Sequence, residues 1–189
     1  EIAADYDALA SLYTDCGASF WVVDYRGYGR STGVPSFSTM LQDAETLLRD
    51  VPRVAGLARL DVTTVIVIGR SLGSASAIHL ASAHPDRVRG LVLDSPYAIL
   101  RDLIQRLGGP SLGEKAPPGF GDNLGKVATC ELPTLIVHGT EDRIIPFSEA
   151  VALYRASKSA MKRLVPVEGA GHNTLLTIGY RQYATELRG

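Results

Sequence analysis

The sequence predicts an α/β domain: a mostly parallel sheet with helices on both faces and a small lid inserted between two strands. Three observations carry this expectation. Apolar, β-branched runs alternate with segments of helical periodicity along the chain. Val65-Ile66-Val67-Ile68 has no polar alternation and is too short for a helix, so it reads as a strand buried on both faces. That run passes through Gly69-Arg70-Ser71-Leu72-Gly73 straight into a small-residue helix, and such a strand-turn-helix unit implies a right-handed crossover to the next parallel strand.

Taken in order, residues 3–15 place apolar side chains from Ile2 to Tyr13 at helical spacing, with Gly17 as the stop. Ser19-Phe20-Trp21-Val22-Val23 reads as a strand, followed by the glycine-rich loop Asp24-Tyr25-Arg26-Gly27-Tyr28-Gly29-Arg30-Ser31, whose spacing does not suit a phosphate cradle. Ser38 or Thr39 can cap a helix reaching about Val51, and Val54–Asp61 reads as a connection. After the small-residue helix that follows Gly73 ends at His84-Pro85, strands are expected near 88–94, 133–138 and 163–167, and helices near 96–107, 146–158 and 174–188. The Gly/Pro-rich stretch from Gly108 to Gly121 breaks the periodicity, which marks 96–126 as a lid within a single domain spanning 1–189.

Composition narrows the function. The 189 residues carry a net charge of -1 with no basic cluster, which argues against nucleic acid or an anionic lipid surface as partner. No apolar run approaches the length of a membrane span. Cys16 and Cys130 are isolated, so neither a disulfide framework nor a cysteine metal site is expected, and the cytoplasm is the expected compartment. The chain opens on Glu1 without a methionine and already in helical periodicity, as expected of a processed or incomplete N-terminus, so its start carries no statement about targeting.

Ser71 is the candidate nucleophile. A side chain at the tip of a sharp strand-to-helix turn sits in crowded backbone geometry, which the glycines at 69 and 73 relieve. The helix that follows turns its free N–H groups and positive end toward the serine, and the Leu72 N–H is the expected oxyanion donor. A second G-x-S-x-G, Gly29-Arg30-Ser31-Thr32-Gly33, lacks the strand-turn-helix setting, so Ser31 reads as a loop residue. A serine hydroxyl needs a base, and the base an orienting carboxylate. His138-Gly139-Thr140-Glu141-Asp142 follows one later strand and offers Asp142, with Glu141 and the strand-end Asp94 as competitors. Glu168-Gly169-Ala170-Gly171-His172-Asn173 follows the next and offers His172. His79 and His84 read as structural and His138 as a supporting neighbour; no set of histidines and carboxylates has zinc-ligand spacing.

These stretches, in the order Ser71, Asp142, His172, resemble the α/β-hydrolase superfamily, and within it the small-capped serine hydrolases of the abhydrolase-domain and serine-aminopeptidase-like group. The resemblance covers essentially the whole chain. It implies a Ser71-His172-Asp142 triad and no metal or organic cofactor. It also implies sheet strands and an oxyanion loop preceding residue 1, one of those strands lying between 19–23 and 65–68, so that this sequence alone would leave a gap in its sheet.

The expected activity is therefore hydrolysis of a carboxylester or thioester on a small-molecule or acylated substrate, with Tyr25, Tyr97 and Ile144 as candidate substrate contacts and Phe120 beside them. A peptidase, an acyltransferase, a carbon–carbon hydrolase and a non-catalytic binding module would share the same residues. Oligomeric state is left open.

Overall fold

A computed structural model describes residues 2–109 and 120–188. The chain opens with a 3₁₀ turn over Ala3–Leu9 and a short helix α1, Ala10–Thr14, that ends before Gly17. Helix α2 spans Phe37–Leu57 and is capped by Ser36, whose side chain accepts from the Thr39 N–H while Thr39 Oγ1 accepts from the Ser36 N–H. The cap thus lies ahead of the two residues the sequence offered, because Thr39 is the reciprocal partner in the first turn rather than the cap itself. The helix also continues through Pro52 for another turn, burying Ala55 against the core, which outweighs the single backbone bond lost at proline.

Four strands follow: β1 Val65–Arg70, β2 Val88–Asp94, β3 Thr134–Gly139 and β4 Lys162–Val167. They pair in sequence order, all parallel. Between them come α3 (Ser74–Ala83), α4 (Leu100–Arg106), α5 (Asn123–Val127) and α6 (Phe147–Ala156), and α7 (Leu175–Arg188) closes the chain. Helix α4 begins later than the sequence pattern implied, since Tyr97 and Ala98 are consumed in a buried turn and an antiparallel bridge pairs Ile99 with Asp122. The expected lid residues 110–119 lie outside the described residues.

Side-chain alternation along β2 explains the layering. Leu91 and Leu93 face α2, α3 and α6 through Ala44, Leu48, Ile78 and Leu153, whereas Val92 faces the opposite layer with Tyr13 of α1 and Tyr183 of α7. Because every strand is parallel, the loops after β1, β3 and β4 all emerge at one edge of the sheet. That edge is where α/β sheets build sites.

Two expectations fail here for one physical reason. Residues 19–23 form no strand, and β1 is not buried on both faces: Ile66 is 55% and Ile68 36% exposed. Phe20 stacks on Tyr13 with ring centroids 4.4 Å apart, but Trp21 stays 42% exposed. Among the described residues nothing pairs with the outer side of β1, and a groove of about 1820 Å³ separates it from residues 18–25. Aromatic and β-branched composition favours a pleated ladder only where a neighbouring strand supplies one.

Gly69 sets how closely α3 approaches β1. A Cβ there would lie 2.7 Å from the Gly73 carbonyl oxygen, the Ser74 Cα and the Ala77 Cβ. Two of these are backbone atoms of the turn and cannot move aside. Gly69→Ala is expected to lower unfolding stability by about 2 kcal/mol, read as a lower urea midpoint at unchanged m-value.

Candidate active site

Ser71 sits directly after β1, at the start of a one-turn 3₁₀ segment, Ser71–Gly73, that leads into α3. Its φ is +51°, a left-handed conformation that is rare for a residue with a Cβ. Such strain persists only where the surroundings enforce it. Here the flanking strand and helix fix the two ends of the turn, and the hydroxyl is pushed out above the strand ends.

Asp142 lies three residues beyond β3 in a turn braced by its own carboxylate. Oδ1 accepts from the backbone N–H groups of Ile144 and Ile145 at 2.9 and 2.8 Å. His172 lies in the loop after β4. Gly139 allows these two loops to approach, since a Cβ at that position would stand 2.1 Å from the Ala170 carbonyl oxygen. The result is one hydrogen-bonded chain: Asp142 Oδ2 to His172 Nδ1 at 2.7 Å, and His172 Nε2 to Ser71 Oγ at 2.9 Å. The aspartate side chain is fully buried and the imidazole is 9% exposed.

Burial by itself would push the Asp142 carboxyl up. Hydrogen bonds from His138, His172 and the Ile145 N–H overcome that and hold it well below the usual carboxylate range. The carboxylate is therefore ionised at neutral pH.

The other sequence candidates fall elsewhere. Glu141 is exposed, and its N–H is bonded to the Ala170 carbonyl. Asp94 is buried at the end of β2, where, after burial itself, its charge helps push the Tyr183 hydroxyl up. Ser31 donates to the Asp24 carbonyl at 2.8 Å within its loop. His79 and His84 both reach Glu45 of α2 at 2.7 Å and clasp α2 to α3. Of the proposed substrate contacts, Tyr25 lines the groove that also holds Ser71 and His172, and Ile144 is 37% exposed at the mouth of the Asp142 turn. Tyr97 is a correction. It is fully enclosed with Met40, Ala75 and Leu103 and presents no surface to a ligand, because the turn before α4 folds it inward. Phe120 meets Phe37 edge-on at 4.9 Å.

One contact had no signal in the sequence. The Arg70 guanidinium donates to the backbone carbonyl of His172 at 2.6 Å, across 102 residues of chain. It ties the histidine loop to the strand that carries the serine. Among the described residues no group of three or more His, Cys, Asp or Glu side chains is arranged to hold a metal, and no helix is long and apolar enough to cross a membrane.

A parallel sheet whose strand-end loops bring a serine, a histidine and an aspartate into line defines an α/β-hydrolase. The family model described as serine aminopeptidase, S33 matches residues 1–117 and 121–177, and the chain belongs to that family. It is similar to Protein bem46 of Schizosaccharomyces pombe, 30% identical over 90% of this chain and 58% of that protein. It is likewise similar to alpha/beta hydrolase domain-containing protein 17C of Xenopus tropicalis, 31% identical over 98% of this chain and 57% of that one. The chain thus spans somewhat over half the length of these curated relatives. Among solved structures, the monoacylglycerol lipase of Paleococcus ferrophilus superposes with a TM-score of 0.75 at 18% identity, covering 99% of this chain and 88% of the lipase. An esterase of Pyrococcus furiosus superposes with a TM-score of 0.68 at 20% identity, over 87% and 66% of the two chains. At these identities the likeness is one of fold.

The depressed Asp142 pKa has a consequence for folding. Between its value in the folded chain and the ordinary value near 3.8, the unfolded chain binds the extra proton, so stability rises with pH. The contribution is complete above that ordinary value and is lost as pH falls through the folded one. Urea unfolding of Asp142→Asn is expected to depend less steeply on pH below about 4 than the parent does.

Proposed function

We propose that the protein is a serine hydrolase that cleaves a carboxylester or thioester by acyl transfer. The observation that carries this reading is the unbroken chain from Ser71 Oγ through His172 to Asp142 Oδ2. Ser71 Oγ attacks the acyl carbon while His172 Nε2 takes the hydroxyl proton, and Asp142 steadies the imidazolium through its Nδ1–H. Negative charge gathers on the substrate oxygen, with the Leu72 N–H as one donor to it. The imidazolium then gives its proton to the departing alcohol or thiol, leaving an acyl-serine. Water, deprotonated by the same histidine, releases the acid and restores Ser71.

An apolar acyl group suits the groove at Ser71, whose lining includes Tyr25, Phe37, Met40, Leu100 and Ile104. The names of the lipase and esterase neighbours are in keeping with an ester substrate. No metal or organic cofactor has a role in these steps.

Intact-mass measurement after treatment with a fluorophosphonate probe tests the proposal. One adduct is expected on the parent chain and none on Ser71→Ala, which should also lower ester turnover by about 10⁴-fold or more at unchanged thermal midpoint. An adduct that persists in Ser71→Ala, or turnover that does not change, overturns it.

A further inference from the structure

His138 is the penultimate residue of β3, and its side chain has no exposed surface. Its Nε2 lies 2.8 Å from the Ile145 carbonyl oxygen and 3.4 Å from Asp142 Oδ2. Both neighbours are acceptors only, so Nε2 carries a proton. Nδ1 is buried and meets no hydrogen-bond partner, and a second proton there would be an unsatisfied buried N–H. The ring is therefore the neutral, Nε2-protonated tautomer. Phe147 of α6 holds it edge-on, with centroids 5.9 Å apart and planes at 80°.

The neighbourhood gives that proton two tasks. Ile145 donates its own N–H to Asp142 Oδ1 while its carbonyl accepts from His138, so the residue that braces the carboxylate is itself pinned from the strand. The same Nε2–H, donated to the Ile145 carbonyl, also stands 3.4 Å from Oδ2, the oxygen bonded to His172 Nδ1, so its positive end acts on that oxygen through space. In a dry site a contact of this length still acts on a full charge.

We propose that His138 is a positioning residue for the triad: a neutral imidazole in β3 that fixes the Ile145 peptide and shares Asp142 Oδ2 with His172. This rests on the triad reading above. Among the described residues, the ionisable groups against the Asp142 carboxylate are His138 from β3 and His172 from the β4–α7 loop; Glu141 and Arg143 flank it in sequence and are exposed, and α6 sets the uncharged Phe147 against the His138 ring. Removing the His138 donor leaves the carboxylate more basic, so the Asp142–His172 pair takes up its proton at higher pH. A ring that merely filled space would not move that titration.

Two variants and one spectrum test the proposal. His138→Leu removes the donor, whereas His138→Gln keeps an N–H near the Nε2 position. With an activated ester as substrate, His138→Leu is expected to lose roughly 10–100-fold in kcat/KM. The acid limb of its pH profile should move upward by about half a unit or more. His138→Gln should recover most of both. Equal losses in the two variants with an unmoved acid limb overturn the proposal. Independently of activity, and whether or not the leucine variant folds, ¹⁵N imidazole spectra of the parent protein at pH 8 should show His138 protonated at Nε2 alone. A ring protonated at Nδ1 overturns it. Fluorophosphonate labelling of Ser71 in the parent reports separately on the triad reading.

Discussion

The hydrogen-bonded chain from Ser71 to Asp142 is the constraint on which the arrangement of this domain turns. Its three members arrive from loops after β1, β3 and β4 and are brought within 3 Å contacts of one another. That is possible only because the strands are parallel and share one carboxyl edge. Each strand register, from Arg70 opposite Asp94 to Gly139 opposite Val167, keeps those ends level. A one-residue slip in any pairing would turn side chains from one face to the other and carry a loop out of reach.

Around that chain the site is held by backbone as much as by side chains. Peptide N–H groups brace Asp142, Arg70 holds the peptide of His172, and the absence of a Cβ at Gly139 lets the two loops touch. These contacts fix the orientation of Ser71, His172 and Asp142 before anything binds beside them, the kind of preorganisation that spares a polar site from reorganising. The same groove also runs along β1. There Ile66 and Ile68 are partly exposed, and among the described residues no strand pairs with that side of β1. Such an edge readily accepts another strand.

The sequence made legible what local chemistry determines. Ser71, Asp142 and His172 each stand just after an apolar run, in turns rich in glycine, and their order along the chain restricts the fold that can unite them. The strands expected at 65–68, 88–94, 133–138 and 163–167 match β1 to β4 to within a residue or two, with β1 the one marked by an uninterrupted apolar run. Pairing was not legible. Residues 19–23 have strand composition without a strand beside them, and β1 has the composition of a buried strand while standing at an edge. Long-range contacts left no local trace either: nothing near Arg70 announces the His172 carbonyl, nothing near Tyr97 announces its enclosure, and the bond from His138 to Ile145 depends on a turn that periodicity does not encode. The cap at Ser36 was missed more narrowly, since Thr39 at the third position of the first turn is half of the reciprocal pair.

The left-handed backbone at Ser71 sets the hydroxyl bonded to His172 against backbone stability at a single position. Glycine would relax there, and almost any other residue would be strained as serine is. A library of variants sorted for thermal tolerance alone would therefore enrich glycine at the position whose hydroxyl bonds His172, and an engineer raising the melting point of this fold while keeping that bond should exclude the glycine codon from the search.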